Sequence, residues 1–252
     1  MTATSAIPQV DLLPEPLSKD LSSAALTLAR RFHAGGSLWA LAPQWEPHAH
    51  HVAVEFVHPV IVGTRSLPAM ALCGSGLVDR ARVSVGAGDV MLVIARADDQ
   101  VALSVAAKAP AWGAKVLWIG YGPRPRAGAA DHVLWLDEDD DLIPATGRFV
   151  LLYHLLWELT HVCLEHPGLL RVEDAECTDE VCITCSDDAV PAEVISGPQG
   201  PLGLVEVRTP GGMEQIDTSM VGEVLPGDLV LVHAGTAISR LEAADGLEEV
   251  TR

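Results

Sequence analysis

Three short apolar runs constrain this chain more than any other feature: VMLVIA at 90–95, KVLWIG at 115–120 and DHVLWLD at 131–137. A strand wetted on one face alternates apolar and polar residues, so runs that are apolar at nearly every position must be covered on both faces. Helical segments lie between such runs. Leu21, Ala24, Ala25, Leu28 and Phe32 recur at helical spacing over Lys19 to His33, with Ser18 as the expected cap and Gly35 and Gly36 as the stop. HAHHVAVEFVH reads as a second helix, QVALSVAAKAPAWG as another despite its proline, and residues 142–165 as a long apolar one. SLWALA and the stretch around Leu67 to Leu72 supply further short apolar segments. Strands alternating with helices predict an α/β fold, a mostly parallel sheet in an αβα sandwich, over residues 1–166.

Beyond that point the pattern changes. Residues 167–180 are acidic and have no period, as in a linker. From 181 to 252 the segments are short and β-like: AVPAEVIS, GLVEVRTP, MEQIDTSMV and DLVLVHAG, separated by PQGP, PGG and PGD turns. A small β-barrel closes such strands without leaving long edges. The formal net charge of −18 excludes a phosphate-backbone partner, so no nucleic acid is expected. The acidic runs DEDDD and EDAECTDE read as solvated loops. No apolar run is long enough to span a membrane, and the first residues lack the basic-then-apolar pattern of a secretory signal, so a cytoplasmic location is expected.

Five cysteines, an odd number, suit free thiols or ligands better than a disulfide framework. Cys182 and Cys185 stand three apart, with Cys177 just upstream. That spacing admits four readings. The three thiols can hold zinc or an iron cluster with a further ligand such as His233, Cys182 and Cys185 can form a redox pair, all can be structural, or one can be a reactive thiolate.

The segments VCITC, AVPAEVI and PGDLVLVHAGTAISRL together resemble the HypC/HupF family of hydrogenase-maturation chaperones. Gly227, Asp228, Val230, Leu231, Val232, His233, Gly235, Ala237 and Ile238 carry the C-terminal part of the resemblance. It implies an OB-type β-barrel in which Cys182, with a HypD-type partner, holds an iron fragment bearing CN and CO ligands before delivery to the large subunit of [NiFe] hydrogenase. His233 would support that thiolate. Two departures stand out: Cys182 lies behind a whole domain instead of at a chain start, and the family's Ile-Pro falls on Cys185 and Ser186.

GGSLWALAP, HVAVEF, VMLVIA and YHLLWEL are similar to successive segments of sugar isomerase (SIS) domains, notably phosphoheptose isomerases. That resemblance implies a zinc site at His51, Glu55 and His154, while the fourth ligand, a glutamine, falls at Thr146. His48, His50 and His58 crowd the same region, and all these histidines also fit an interface or a plain surface. The phosphate loops look degenerate. PQWEPHAH has neither Gly nor Ser, and Asp98 and Asp99 in ARADDQ would repel a phosphate. The stripe in LLYHLLWELTHVCL suits either a homo-oligomer contact or core, and His161 and His166 read as ordinary helix-end residues. Two functions follow from these resemblances: a maturation chaperone, or a metal-dependent sugar-phosphate isomerase or phosphosugar-binding regulator.

Overall fold

The computed structural model describes residues 14–59, 63–170, 189–200 and 203–241. Five parallel strands, β1 (Leu38–Leu41), β2 (Ala69–Leu72), β3 (Val90–Ile94), β4 (Lys115–Tyr121) and β5 (His132–Leu136), form a sheet in the order β2-β1-β3-β4-β5. Alternate residues of each strand enter opposite cores. Val90, Leu92 and Ile94 pack on one face beneath helices α1 (Glu15–His33), α2 (Glu46–Val57) and α5 (Arg148–Glu165). Met91, Val93 and Ala95 pack on the other beneath α3 (Leu77–Ser84), α4 (Gln100–Lys108) and a 3-10 turn, Ala109–Trp112. Covering both faces is why these strands read as unbroken apolar runs. Gly120 permits the tightest contact of this second layer, since a Cβ there would overlap the Trp135 ring and the Ala95 carbonyl.

Several expected boundaries shift for local reasons. α1 begins before Ser18, whose hydroxyl bonds back to the Pro14 carbonyl instead of capping. The helix expected through Pro110 ends at Lys108, because proline cannot donate to the ladder, and the chain tightens into the 3-10 turn closed by Gly113 at φ 77°. The long helix expected over 142–165 is broken at Gly147, in the left-handed region, leaving a 3-10 turn Ile143–Ala145 before α5. The expected linker starts as a short helix, α6 (Pro167–Leu170), that buries Leu170. α3 is not legible in the sequence as a helix: LVDRARVS is short, and its apolar Leu77, Val78 and Ala81, which pack on the second core, are interrupted by Asp79 and Arg80. Much of the stripe on α5 is core, with Phe149, Leu152, Tyr153, Leu156 and Trp157 buried. His161 does more than end a helix, since its buried ring sits between two carbonyls, with Nδ1 2.9 Å from that of Trp157 and Nε2 3.1 Å from that of Arg65, and so packs a loop on α5.

The C-terminal strands are β6 (Val190–Val194), β7 (Val205–Thr209), β8 (Gly212–Ile216), β9 (Leu229–His233) and β10 (Thr236–Leu241), in the antiparallel order β10-β9-β6-β7-β8. Curling brings the two edges together at one bridge, where Asp217 accepts from the Ala237 amide at 2.8 Å and its own amide donates to Gly235 at 3.0 Å. Ala192, Val194, Val205, Val207, Ile216, Val230 and Val232 fill the interior. The β9–β10 hairpin turns on Ala234 (φ 47°) and Gly235 (φ 77°), a pair in the left-handed region that matches the strand twist.

Ala192 and Val194 point inward, so Glu193 between them points out, into the α/β unit. There its carboxylate is fully buried. Arg82 donates to it at 3.0 and 2.8 Å, Lys108 at 3.1 Å and the Trp112 indole at 2.7 Å. Arg208 of β7 lies over the Trp112 ring and donates to the Arg82 and Val85 carbonyls, while Lys108 also reaches the Gly227 carbonyl. Leu229 and Leu241 complete the apolar part of this seam.

Burial alone would raise the Glu193 pKa, but the bonds from Arg82, Trp112 and Lys108 outweigh it and hold the group below its ordinary value. A depressed folded pKa means that the unfolded chain binds the proton first. The stabilisation is therefore complete above about pH 4.3 and fades as pH falls through the folded value. Glu193→Ala leaves Lys108 without a carboxylate and Arg82 with Asp79 alone, and is expected to cost about 3 kcal/mol in urea denaturation at pH 7, with a smaller loss at acid pH. An unchanged midpoint would show that the seam does not hold the two sheets together.

Candidate functional site

Two i, i+4 pairs on α2 set out the ligand-bearing groups: Glu46 with His50, and His51 with Glu55. The helix is anchored by Ala49, Val52 and Phe56 in the core, which fixes the direction of both pairs. From α5, His154 meets the second pair. His51 Nε2 lies 3.2 Å and His154 Nε2 3.3 Å from the same oxygen, Glu55 Oε1. All three donor atoms fall within 4.8 Å of one another. Tetrahedral zinc with bonds of about 2.0–2.2 Å to nitrogen and oxygen gives ligand-to-ligand edges of roughly 3.4 Å, so the donor set fits such an ion and leaves a fourth position open.

Tyr153, a residue the sequence did not single out, orients this centre. Its hydroxyl is 2.7 Å from His51 Nδ1 and 3.4 Å from His48 Nδ1, and His48 Nε2 is 2.9 Å from the Pro144 carbonyl. A carbonyl only accepts, so His48 carries its proton on Nε2 and presents Nδ1 to the phenol. The phenol oxygen can then accept from His51 Nδ1, which turns the bare His51 Nε2 toward Glu55. Burial, then the Glu55 carboxylate, pushes the Tyr153 pKa up, keeping the phenol protonated. Thr146 does not join the centre, for its hydroxyl donates to the Ile143 carbonyl at 2.8 Å. His58 and His166 are exposed.

The crevice between β1 and β3 is where sheets of this order receive ligands, because the connections leave in opposite directions there. Here a carboxylate stands at its edge. Asp99 caps α4 by accepting from the Ala102 amide at 2.9 Å, and its other oxygen accepts from Gln44 at 3.1 Å. A carboxylate thus holds the helix N-terminus that would otherwise attract a phosphate. One strand over, a 530 Å³ cavity is lined by Arg96, Tyr121, Arg124 and Arg126. Arg96 is paired with Asp98 and Asp141, and Arg124 with Asp137.

His233 ends β9, beside the tight turn to Thr236. The motif around it largely builds the barrel: the Gly227 amide donates to Val194 at 2.7 Å, Asp228 accepts from the Leu225 amide at 2.9 Å, and Ala237 is buried. Cys177, Cys182 and Cys185 lie outside the described residues.

A family sequence model matches this barrel. Residues 188–251 match the HupF/HypC family. The matched stretch contains His233 and the whole Gly227–Ile238 motif, and it starts after the three clustered cysteines. The α/β unit is similar to a phosphoheptose isomerase from Francisella tularensis, at 18% identity and a TM-score of 0.52 over 60% of this chain and 88% of that one. It is also similar to a phosphoheptose isomerase from Neisseria gonorrhoeae, at 15% identity and a TM-score of 0.50 over 58% of this chain and 87% of that one. At these identities the likeness is one of fold. No curated protein matches the chain. Among the described residues, no helix is long and apolar enough to cross a membrane.

In a variant with all five cysteines replaced by serine, zinc titration is expected to find one tight site that Glu55→Gln abolishes and Tyr153→Phe weakens about 10- to 100-fold. Equal affinity in Glu55→Gln would remove the centre.

Proposed function

We propose that the chain is a maturation chaperone for [NiFe] hydrogenase, whose barrel carries the iron fragment with CN and CO ligands. The HupF/HypC match over residues 188–251 is the observation that carries this reading. Cys182 is the thiolate that grips the iron: loss of its proton frees a soft sulfur donor for low-spin iron, and exchange with a ligand of the recipient releases the cargo. His233 supports it from the end of β9. A HypD-type protein and the hydrogenase large subunit are the partners. The assignment of Cys182 comes from its place in the sequence ahead of AVPAEVI, since the family match begins after it.

The second reading, a phosphosugar isomerase or binder, draws support from the His51, Glu55 and His154 centre. Against it stands Asp99 at the N-terminus of α4. The α/β unit then serves the chaperone as a platform that fixes the barrel in place and, if it binds a partner, raises the barrel's effective concentration there.

Anaerobic co-purification with the HypD-type partner distinguishes the readings. Cys182→Ala is expected to lose bound iron while its circular dichroism is unchanged, whereas Glu55→Gln keeps the iron. Loss of iron only in Cys177→Ala or Cys185→Ala would assign the thiolate elsewhere, and full iron in Cys182→Ala would overturn the reading. Turnover of sedoheptulose phosphate that disappears in Glu55→Gln would instead favour the isomerase.

A further inference from the structure

The other pair on α2, Glu46 and His50, faces away from the centre just described and meets a cysteine no sequence pattern pointed to. Cys73 follows directly on the last residue of β2. Its sulfur lies 3.3 Å from His50 Nε2, and His50 Nε2 lies 3.9 Å from Glu46 Oε1. The three donor atoms sit within 4.8 Å of one another, just as those of His51, Glu55 and His154 do. A thiolate, an imidazole and a carboxylate converging from a helix and a strand end form a tridentate set with its open side toward solvent.

We propose that Glu46, His50 and Cys73 form a second divalent-metal site, independent of the His51 centre and of the barrel's cysteines, that takes a zinc-class transition ion. Bonds of about 2.3 Å to sulfur and 2.0–2.2 Å to nitrogen and oxygen give tetrahedral edges of roughly 3.4–3.6 Å, which the sulfur–nitrogen and nitrogen–oxygen separations bracket. Sulfur together with nitrogen selects such ions over magnesium and calcium, which prefer all-oxygen sites. Burial, and next the Glu46 carboxylate, pushes the Cys73 thiol up to about 11, so the free site holds a proton on sulfur. A divalent ion displaces that proton. Glu46 and His50 are more than half exposed, so the ion is exchangeable, as suits acquisition or hand-off better than structural closure.

Both centres sit on one helix, and their donors separate them in an experiment. Cobalt bound to a thiolate has a near-ultraviolet charge-transfer band that cobalt on imidazole and carboxylate lacks. A variant with Cys163, Cys177, Cys182 and Cys185 changed to serine and His154 changed to alanine keeps Cys73 as its one thiol. Titrated with cobalt under anaerobic conditions, it is expected to develop the band at one equivalent. Adding Cys73→Ser should abolish the band, and adding His50→Ala should weaken binding at least tenfold, with circular dichroism unchanged in both. No band in the folded Cys73-only variant overturns the site, as does a band whose titration ignores His50→Ala. Iron carriage by the barrel is a separate readout, and neither result depends on the other.

Discussion

A carboxylate with no access to water decides how this molecule is put together. Glu193 leaves the barrel from a strand whose neighbouring residues fill the barrel core, and it enters a pocket made by Arg82, Lys108 and Trp112 of the other sheet's outer layer. A buried charge is tolerable only with nearly every lone pair satisfied, and Glu193 reaches that state only when the two sheets are correctly seated. The same pocket orders its own surroundings. Arg208 spans the seam over the Trp112 ring, and Lys108 ties α4 to the turn at Gly227. The barrel is therefore held in one orientation by a specific polar contact within an apolar seam.

That arrangement leaves the opposite face of the parallel sheet free for chemistry. α2 and α5 lie there, and they carry the His51, Glu55 and His154 cluster, while the end of β2 brings Cys73 to the Glu46 and His50 pair. One helix thus presents two groups of donor atoms through two i, i+4 pairs set five residues apart. Meanwhile Asp99, bonded to Gln44, caps the helix that begins at the crevice between β1 and β3. The clustered donor atoms and the carboxylate-capped N-terminus of α4 thus lie in the same unit.

The contrast between expected and observed elements follows the physics of each segment. Strands buried on both faces were legible because no other environment tolerates their composition, and the HupF/HypC signature was legible because its glycines, aspartate and alanine each answer a backbone demand of the barrel. α3 is not legible because its eight residues offer only a short apolar pattern, Leu77, Val78 and Ala81; lying between β2 and β3, it supplies Arg82 to the seam. The sequence reads as continuous helix across the breaks after Lys108 and at Gly147 because propensity runs through them, whereas Pro110 and the left-handed glycine act at single positions.

By itself the sequence determined the two kinds of sheet, the order of their strands along the chain, and the helical pairing of His51 with Glu55, for these depend on spacing within a segment. The resemblance to sugar isomerases already put His154 with that pair, and the tertiary structure brings them together; only the tertiary structure decided that Cys73 lies beside His50 and that Glu193 is the buried link between the sheets. Those meetings join residues far apart in the chain, and their energies arise from burial and hydrogen bonding that exist only once both partners have been packed.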